Sequence, residues 1–155
     1  MAIVLSTKLQ NDAADAFAAL FANGRIHIYS GSRPQAGDNA LTGTLLGVVS
    51  ENGLTFTPGS TTNGLNFDAA VEGVVTKAAA ETWQFVGLAN GIAGYFVLLP
   101  NSADDGTADS GKTRRRYVGT IGTSNADLIM SNPQVVLSAV KTVDEFSLAI
   151  PTQYK

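Results

Sequence analysis

Apolar residues near the start of the chain recur three and four positions apart, the spacing of one face of an α-helix. They are Leu9, Ala13, Ala16, Phe17, Leu20 and Phe21. Asn11 or Asp12 can cap the start of this helix, and Asn23-Gly24 supplies a left-handed stop. A helix of about 12 residues is too short to be stable alone in water. We therefore expect it to pack on this domain's sheet or on a partner subunit.

After Gly24 the pattern changes to the alternation of half-buried strands. Ile26 and Ile28 alternate with Arg25 and His27, so we expect His27 to face solvent or an interface. Further strand-like runs follow at residues 44–49, 54–57, 64–67, 71–77, 82–88, 94–99, 114–121, 126–130, 134–137 and 142–150. Many short strands at spacings of about 8–12 residues indicate a β-sandwich or a barrel.

Turn signals separate these runs. Asn-Gly occurs at Asn23, Asn52, Asn63 and Asn90, and the last three lie between strand-like runs, where this dipeptide predicts hairpins. Two longer excursions, residues 30–41 and 101–113, are rich in turn residues. Loops of this length, about a dozen residues, are typical of binding arms or mobile tips.

Composition limits the class of function. The 155 residues fit one domain, with residues 1–24 as an N-terminal arm and helix and residues 25–155 as the β-sandwich. The net charge of −3 argues against a nucleic-acid binder, and we expect no membrane partner and no signal peptide. Charged residues make up only 15% of the chain. A weakly charged surface is typical of one partly buried against neighbours; a monomer with a neutral polar surface is the alternative.

Few residues offer reactive chemistry. The chain has one histidine and no cysteine, which excludes a two-histidine metal site and cysteine-ligated zinc within one copy. Asp104, Asp105 and Asp109 suggest a calcium loop, but two are adjacent and no glutamate closes the loop, so a solvated turn is favoured. Asp68, Glu72 and Glu81 have no spacing that defines an acid/base pair. We predict that the chain is not an enzyme and needs no cofactor.

Arginines and aromatic residues form two further groups. The run Arg114-Arg115-Arg116 is expected either to be neutralised by nearby carboxylates or to pair across a subunit contact, and phosphate binding is the weaker alternative. Trp83, Phe85, Tyr95 and Phe96 flank the Asn90-Gly91 turn. Core packing is the favoured interpretation of these rings. A carbohydrate-binding platform is the alternative, and it requires exposed rings.

Ordered blocks along the chain resemble a family of structural proteins from tailed-bacteriophage virions. The blocks are IYSG with Pro34, TGTLL at 42–46, GIAGYF at 91–96, VGTIGTSNADL at 118–128 and FSLAIP at 146–151. The resemblance covers about residues 25 to 151 and implies no catalytic residues. The N-terminal helix and residues 101–113 are additions to the pattern.

Taken with the strand pattern, the resemblance implies an all-β, jelly-roll-like antiparallel sandwich with one short N-terminal helix. It also implies a capsid decoration or cement protein on the virion exterior, made in the host cytoplasm. The expected partners are the major capsid protein and further copies of the chain, as a dimer or trimer. The expected interface residues are Leu9, Phe17, Phe21, Arg33, Pro34, Asp104, Asp105, Arg114, Arg115 and Arg116. One alternative is a head–tail connector, tail or baseplate component. The other is a receptor-binding module.

Overall fold

The computed structural model describes residues 3–149 and 153–154. Helix α1 spans Thr7–Ala19, and the side chain of Ser6 caps it by accepting from the Leu9 amide. The cap predicted at Asn11 or Asp12 is therefore wrong. Asn11 instead accepts a hydrogen bond from the Gly73 amide at 2.7 Å, which ties the helix to the β-structure.

The helix packs on the sheet of its own chain. Ala14 and Ala18 are buried against Ala70 and Val75, and Phe21, just after the helix, belongs to the main core. Of the two predicted packing sites for the helix, the chain's own sheet is thus the one observed.

The rest of the described chain is mostly short strands. They are β1 Ile3–Val4, β2 Arg25–Ser30, β3 Leu45–Glu51, β4 Val74–Thr76, β5 Trp83–Val86, β6 Gly91–Leu99, β7 Tyr117–Gly122, β8 Leu128–Ile129, β9 Gln134–Val135, β10 Val140–Thr142, β11 Glu145–Ala149 and β12 Gln153–Tyr154. The prediction of a β-rich fold with one N-terminal helix is confirmed. The predicted run 54–57 forms no strand, residues 64–67 contribute only isolated bridges, and residue 150 lies outside the described residues.

One ten-stranded sheet forms the body, in the order β10-β5-β3-β2-β6-β7-β8-β11-β4, with β9 paired to β6. The pair β7–β8 is parallel, so the sheet is mixed and not wholly antiparallel as predicted. A separate two-stranded sheet joins β1 to β12.

This long sheet curls on itself. The ring of Phe146 on β11 lies 5.5 Å, centroid to centroid, from that of Trp83 on β5, although five strands lie between β5 and β11 in the sheet order. Side chains of both halves thus meet in a single core, which includes Ile26, Ile28 and Phe96. Burial of these large side chains is the main stabilising term.

The Asn-Gly dipeptides do not form the predicted hairpins. Asn52 and Asn63 have left-handed backbones, with φ of 56° and 62°, so they do reverse the chain. The strands on either side pair elsewhere, however: β3 pairs with β2 and β5, and β6 pairs with β2, β7 and β9. Consequently Asn90-Gly91 is not the turn of a β5–β6 hairpin.

Candidate functional site

The outer face of β2 carries a buried polar cluster. Arg25, His27 and Tyr29 alternate with the core residues of this strand and point away from the core, yet Arg25 is 4% and His27 6% exposed. The long loop that joins β6 to β7, residues 100–116, covers them. Of the two positions predicted for His27, solvent or an interface, the solvent-facing one is therefore wrong, because this loop shields a face that the alternation marks as outward.

Arg25 fastens the start of that loop to the strand. Its Nη1 donates to the carbonyl oxygens of Pro100 at 2.9 Å and Ser102 at 3.0 Å, and its Nη2 donates to that of Asp104 at 2.7 Å. The guanidinium also lies 5.0 Å from the ring centre of Phe56, a cation–π geometry. One side chain thus satisfies three loop carbonyls.

The carboxylate of Asp104 forms ion pairs with two arginines of the loop. Arg116 binds it with Nε to Oδ2 at 2.8 Å and Nη2 to Oδ1 at 2.9 Å, and Arg114 adds Nη1 to Oδ1 at 2.7 Å. The Gly106 amide donates to the same carboxylate at 3.0 Å. Burial alone would raise the pKa of Asp104, but hydrogen bonds from Arg116, Gly106 and Arg114 hold that pKa well below its ordinary value.

His27 completes this cluster as a neutral acceptor. Arg25 Nε donates to His27 Nε2 at 3.1 Å, so in the neutral ring the proton sits on Nδ1, 3.4 Å from the Tyr29 hydroxyl. Burial, followed by the positive charge of Arg25, lowers the pKa of His27 to about 4. Burial and the neighbouring Tyr95 raise the pKa of Tyr29 to about 12.

The loop of residues 30–41 holds the far end of residues 100–116. The Leu41 amide donates to the Gly106 carbonyl at 2.9 Å, and the Ser110 amide donates to the Asp38 carbonyl at 2.7 Å. Arg116 Nη1 adds a bond to the Asn39 carbonyl at 3.0 Å. The two loops singled out from the sequence therefore form one layer over the outer face of the sheet.

An open cleft of about 460 Å³ lies beside the cluster and is lined by Arg25, His27, Pro58, Ala103, Asp104, Asp105 and Arg114. The polar atoms of the cluster are used for internal bonds, and among the described residues no buried side-chain nitrogen or oxygen lacks a partner. No group of three potential metal ligands occurs in the described part of the chain. The arrangement is suited to holding the loop in place, since Arg25 bonds to loop carbonyls and Asp104 bonds to loop arginines.

The predicted interface residues fall into two groups. Phe21 is 3% and Asp104 7% exposed, so their side chains are absent from the surface of a single copy, and Phe17 is half-buried against the core. Among the others, the side chain of Arg116 is 1% exposed and Pro34 is half-buried. The exposed members are Leu9, Arg33, Asp105, Arg114 and Arg115. The expected local neutralisation of the arginine run is found for Arg114 and Arg116 on Asp104.

Sequence reasoning missed an exposed apolar face. We define it by Leu54, Val86, Leu88 and Val140, which are 55%, 41%, 53% and 60% exposed. Val86 and Val140 are register partners of β5 and β10. The other two lie with Val86 around a hollow of about 290 Å³ whose lining residues carry no charge. In the sequence, only the low fraction of charged residues indicates such a surface. The four residues of the face come from segments that are distant in sequence, so no local pattern reveals them.

The aromatic residues lie in the interior. Trp83, Phe85, Tyr95 and Phe96 are all 0% exposed, which confirms core packing. Trp83 Nε1 donates to Glu81 Oε2 at 2.8 Å, and Tyr95 stacks on Tyr29 at 5.2 Å. The exposed rings that a carbohydrate platform requires are therefore not found at Trp83 or Tyr95.

Comparisons with protein-family models, curated proteins and solved structures find no match to this chain. Among the described residues, no helix has the length and apolar character needed to cross a membrane.

Proposed function

We propose that this chain is a bacteriophage virion structural protein, a capsid decoration or cement protein that binds the outside of an assembled shell of major capsid protein. The observation that carries the proposal is the apolar face of Leu54, Val86, Leu88 and Val140. Apolar surface of this kind favours contact with another protein because association removes it from water. The ordered sequence blocks that resemble virion proteins supply the identity of the partner.

The mechanism is stabilisation by binding. A protein that binds the assembled shell and not its separate subunits shifts the equilibrium towards the shell by mass action. Repeated copies on a symmetric shell make weak individual contacts cumulative. The exposed side chains of Arg33 and Arg115 lie on the two outer loops and are available for further polar contacts. No reacting group is required.

The body serves as a rigid spacer in this proposal. We propose that the curled sheet acts as a two-layered sandwich of the jelly-roll type, with both layers contributing to one core. The contact of Trp83 with Phe146 supports this view, since it joins strands from opposite parts of the sheet. We further propose that the protein forms a dimer or trimer, because bridging parts of closed shells often sit on symmetry axes.

Cosedimentation with empty shells tests the role. Purified protein is mixed with empty shells of a candidate major capsid protein, and the pelleted fraction is measured for the wild type and for Val140→Glu. Val140 is the register partner of Val86 in the apolar face. Val71→Glu is the matched control, since Val71 is an exposed valine (70%) in the turn before β4 and is not one of the four residues of that face. We expect binding to fall at least tenfold for V140E and to stay near wild type for V71E.

Two results would reject the proposal. One is failure of the intact protein to bind shells. The other is assembly of the purified protein into rings or tubes without shells, which is the behaviour of a connector or tail component. Deletion of the N-terminal segment is not a clean test, because Phe21 is part of the core.

A further inference from the structure

The unprotonated ring of His27 takes part in the anchoring of the loop. Its Nε2 accepts from Arg25 Nε at 3.1 Å, and the same guanidinium holds the carbonyls of residues 100, 102 and 104. A proton on Nε2 replaces this acceptor with a donor. Two cations would then face one another within hydrogen-bond distance in a buried site.

The groups around His27 determine the sign of the response. The charged and titratable neighbours are Arg25 and Tyr29 on β2, and Asp104, Asp105 and Arg114 on the loop, with Arg116 behind Asp104. The neighbouring strands present the uncharged Val48 and Val97 as register partners of His27, and Pro58 lies across the cleft. Asp104 is engaged by two arginines, so little negative charge remains to stabilise an imidazolium.

We propose that the Arg25–His27 pair is a proton-sensitive latch, which holds residues 100–106 against β2 at neutral pH and releases them in mild acid. The latch acts locally, because the loop packs on the outer face of the sheet while the core lies on the other side. The open cleft beside His27 gives water a path to the ring once the loop moves. The latch follows from the contacts of β2 and is independent of the proposed role on a shell.

The size of the effect follows from proton linkage. With the loop open the ring has its ordinary pKa of 6.5, and with the loop closed its pKa is about 4. The open form therefore binds more protons across this range, and opening is favoured as the pH falls. Between pH 7 and about 4.5 the ratio of open to closed loop rises by about 50-fold. Carboxylates contribute little above about pH 4.5, because their ordinary pKa values are lower.

Amide hydrogen exchange measured by NMR tests the latch. The Leu41 amide reports on the loop because it donates to the Gly106 carbonyl. The amide of Phe96, a residue of β6 that is 0% exposed, reports on the core. Corrected for intrinsic rates, we expect protection at Leu41 to drop about 50-fold between pH 7 and about 4.5 in the wild type. His27→Gln keeps an acceptor for Arg25 but does not titrate, so its protection at Leu41 should change less than about twofold.

Three outcomes would overturn the proposal. The first is a protection factor at Leu41 that does not change with pH in the wild type, and the second is an equal change in H27Q. The third is a parallel loss at Phe96, because release would then be global unfolding. If H27Q does not fold, NMR titration of the wild-type His27 ring decides, since a pKa at the ordinary 6.5 means that protonation is not coupled to the closed loop.

Discussion

Replacing Asp104 with asparagine removes the charge that neutralises two arginine side chains while keeping the shape of the residue. The side chains of Arg116 and Asp104 are 1% and 3% exposed, so this pair is shielded from water. Arg114, by contrast, is 42% exposed, and solvent screens its contribution. The effect of D104N is therefore set mainly by the pair with Arg116.

The expected magnitude follows from this burial. Removing one member of a buried ion pair leaves the other charge without compensation and costs about 3–5 kcal/mol. Asparagine retains one acceptor oxygen, so we expect a loss near the lower end, about 3 kcal/mol in the free energy of unfolding. For a chain of this size that corresponds to a fall in Tm of roughly 6–12 °C.

Urea titration of the wild type and D104N at neutral pH, followed by fluorescence, measures this difference. Asp105→Asn is the matched control, because Asp105 is exposed and its side chain bonds only to Thr107. We expect the urea midpoint of D105N to stay close to that of the wild type. Arg116→Gln should destabilise the protein more than Arg114→Gln, following the difference in exposure.

The pH dependence gives an independent check of the sign. The pKa of Asp104 in the folded protein lies below its ordinary value of 3.8, so the folded state binds fewer protons at this carboxylate than the unfolded state. Its stabilising contribution is complete above that ordinary value and decreases as the pH falls below it. The gap between wild type and D104N should narrow in strong acid. A loss below about 1 kcal/mol at neutral pH, or an equal loss for D105N, would refute the reasoning.

Two further predictions concern the body. Gly94→Ala would place a methyl group 2.0 Å from the Gly31 carbonyl oxygen. In urea unfolding we expect the free energy of unfolding to fall by about 3 kcal/mol. For the control Gly59→Ala, where only the backbone φ of 86° is unfavourable, we expect a fall of about 1 kcal/mol. Equal losses would contradict the predicted clash. Trp83 is the sole tryptophan and is 0% exposed, so its fluorescence should resist quenching by iodide until the protein unfolds. Quenching of the native protein would show that Trp83 is accessible.

Local patterns in the sequence predict the elements of this fold better than their partners. The apolar spacing around Phe17 and Phe21 locates the helix, but the predicted apolar face is wrong in part. Leu9 and Leu20 are exposed, and the buried helix residues are Gln10, Ala14 and Ala18. The alternation of β2 correctly assigns Ile26 and Ile28 to the core. The pairing of β3 with β5 is not predictable in this way, since the intervening turns look like ordinary hairpins and the competing contacts are distant in sequence.

The polar cluster shows the same limit. Asp104 reads as a solvated turn residue because nothing local indicates that Arg25, far earlier in the chain, receives its loop. His27 is misjudged for the same reason: alternation distinguishes the two faces of a strand but does not show what covers the second face. The run that contains Arg114 and Arg116 is the one local signal of this cluster, because nearby carboxylates are expected to neutralise it.

The strand order also governs how the chain reaches its native state. Arg25 pairs with Leu99 across the centre of the sheet, whereas β10 and β11, joined by only Val143 and Asp144, end up in different parts of the strand order. The curled sheet cannot close until strands that are distant in sequence have paired. Such distant pairings are slow to form, so we expect refolding on a timescale on the order of milliseconds to seconds.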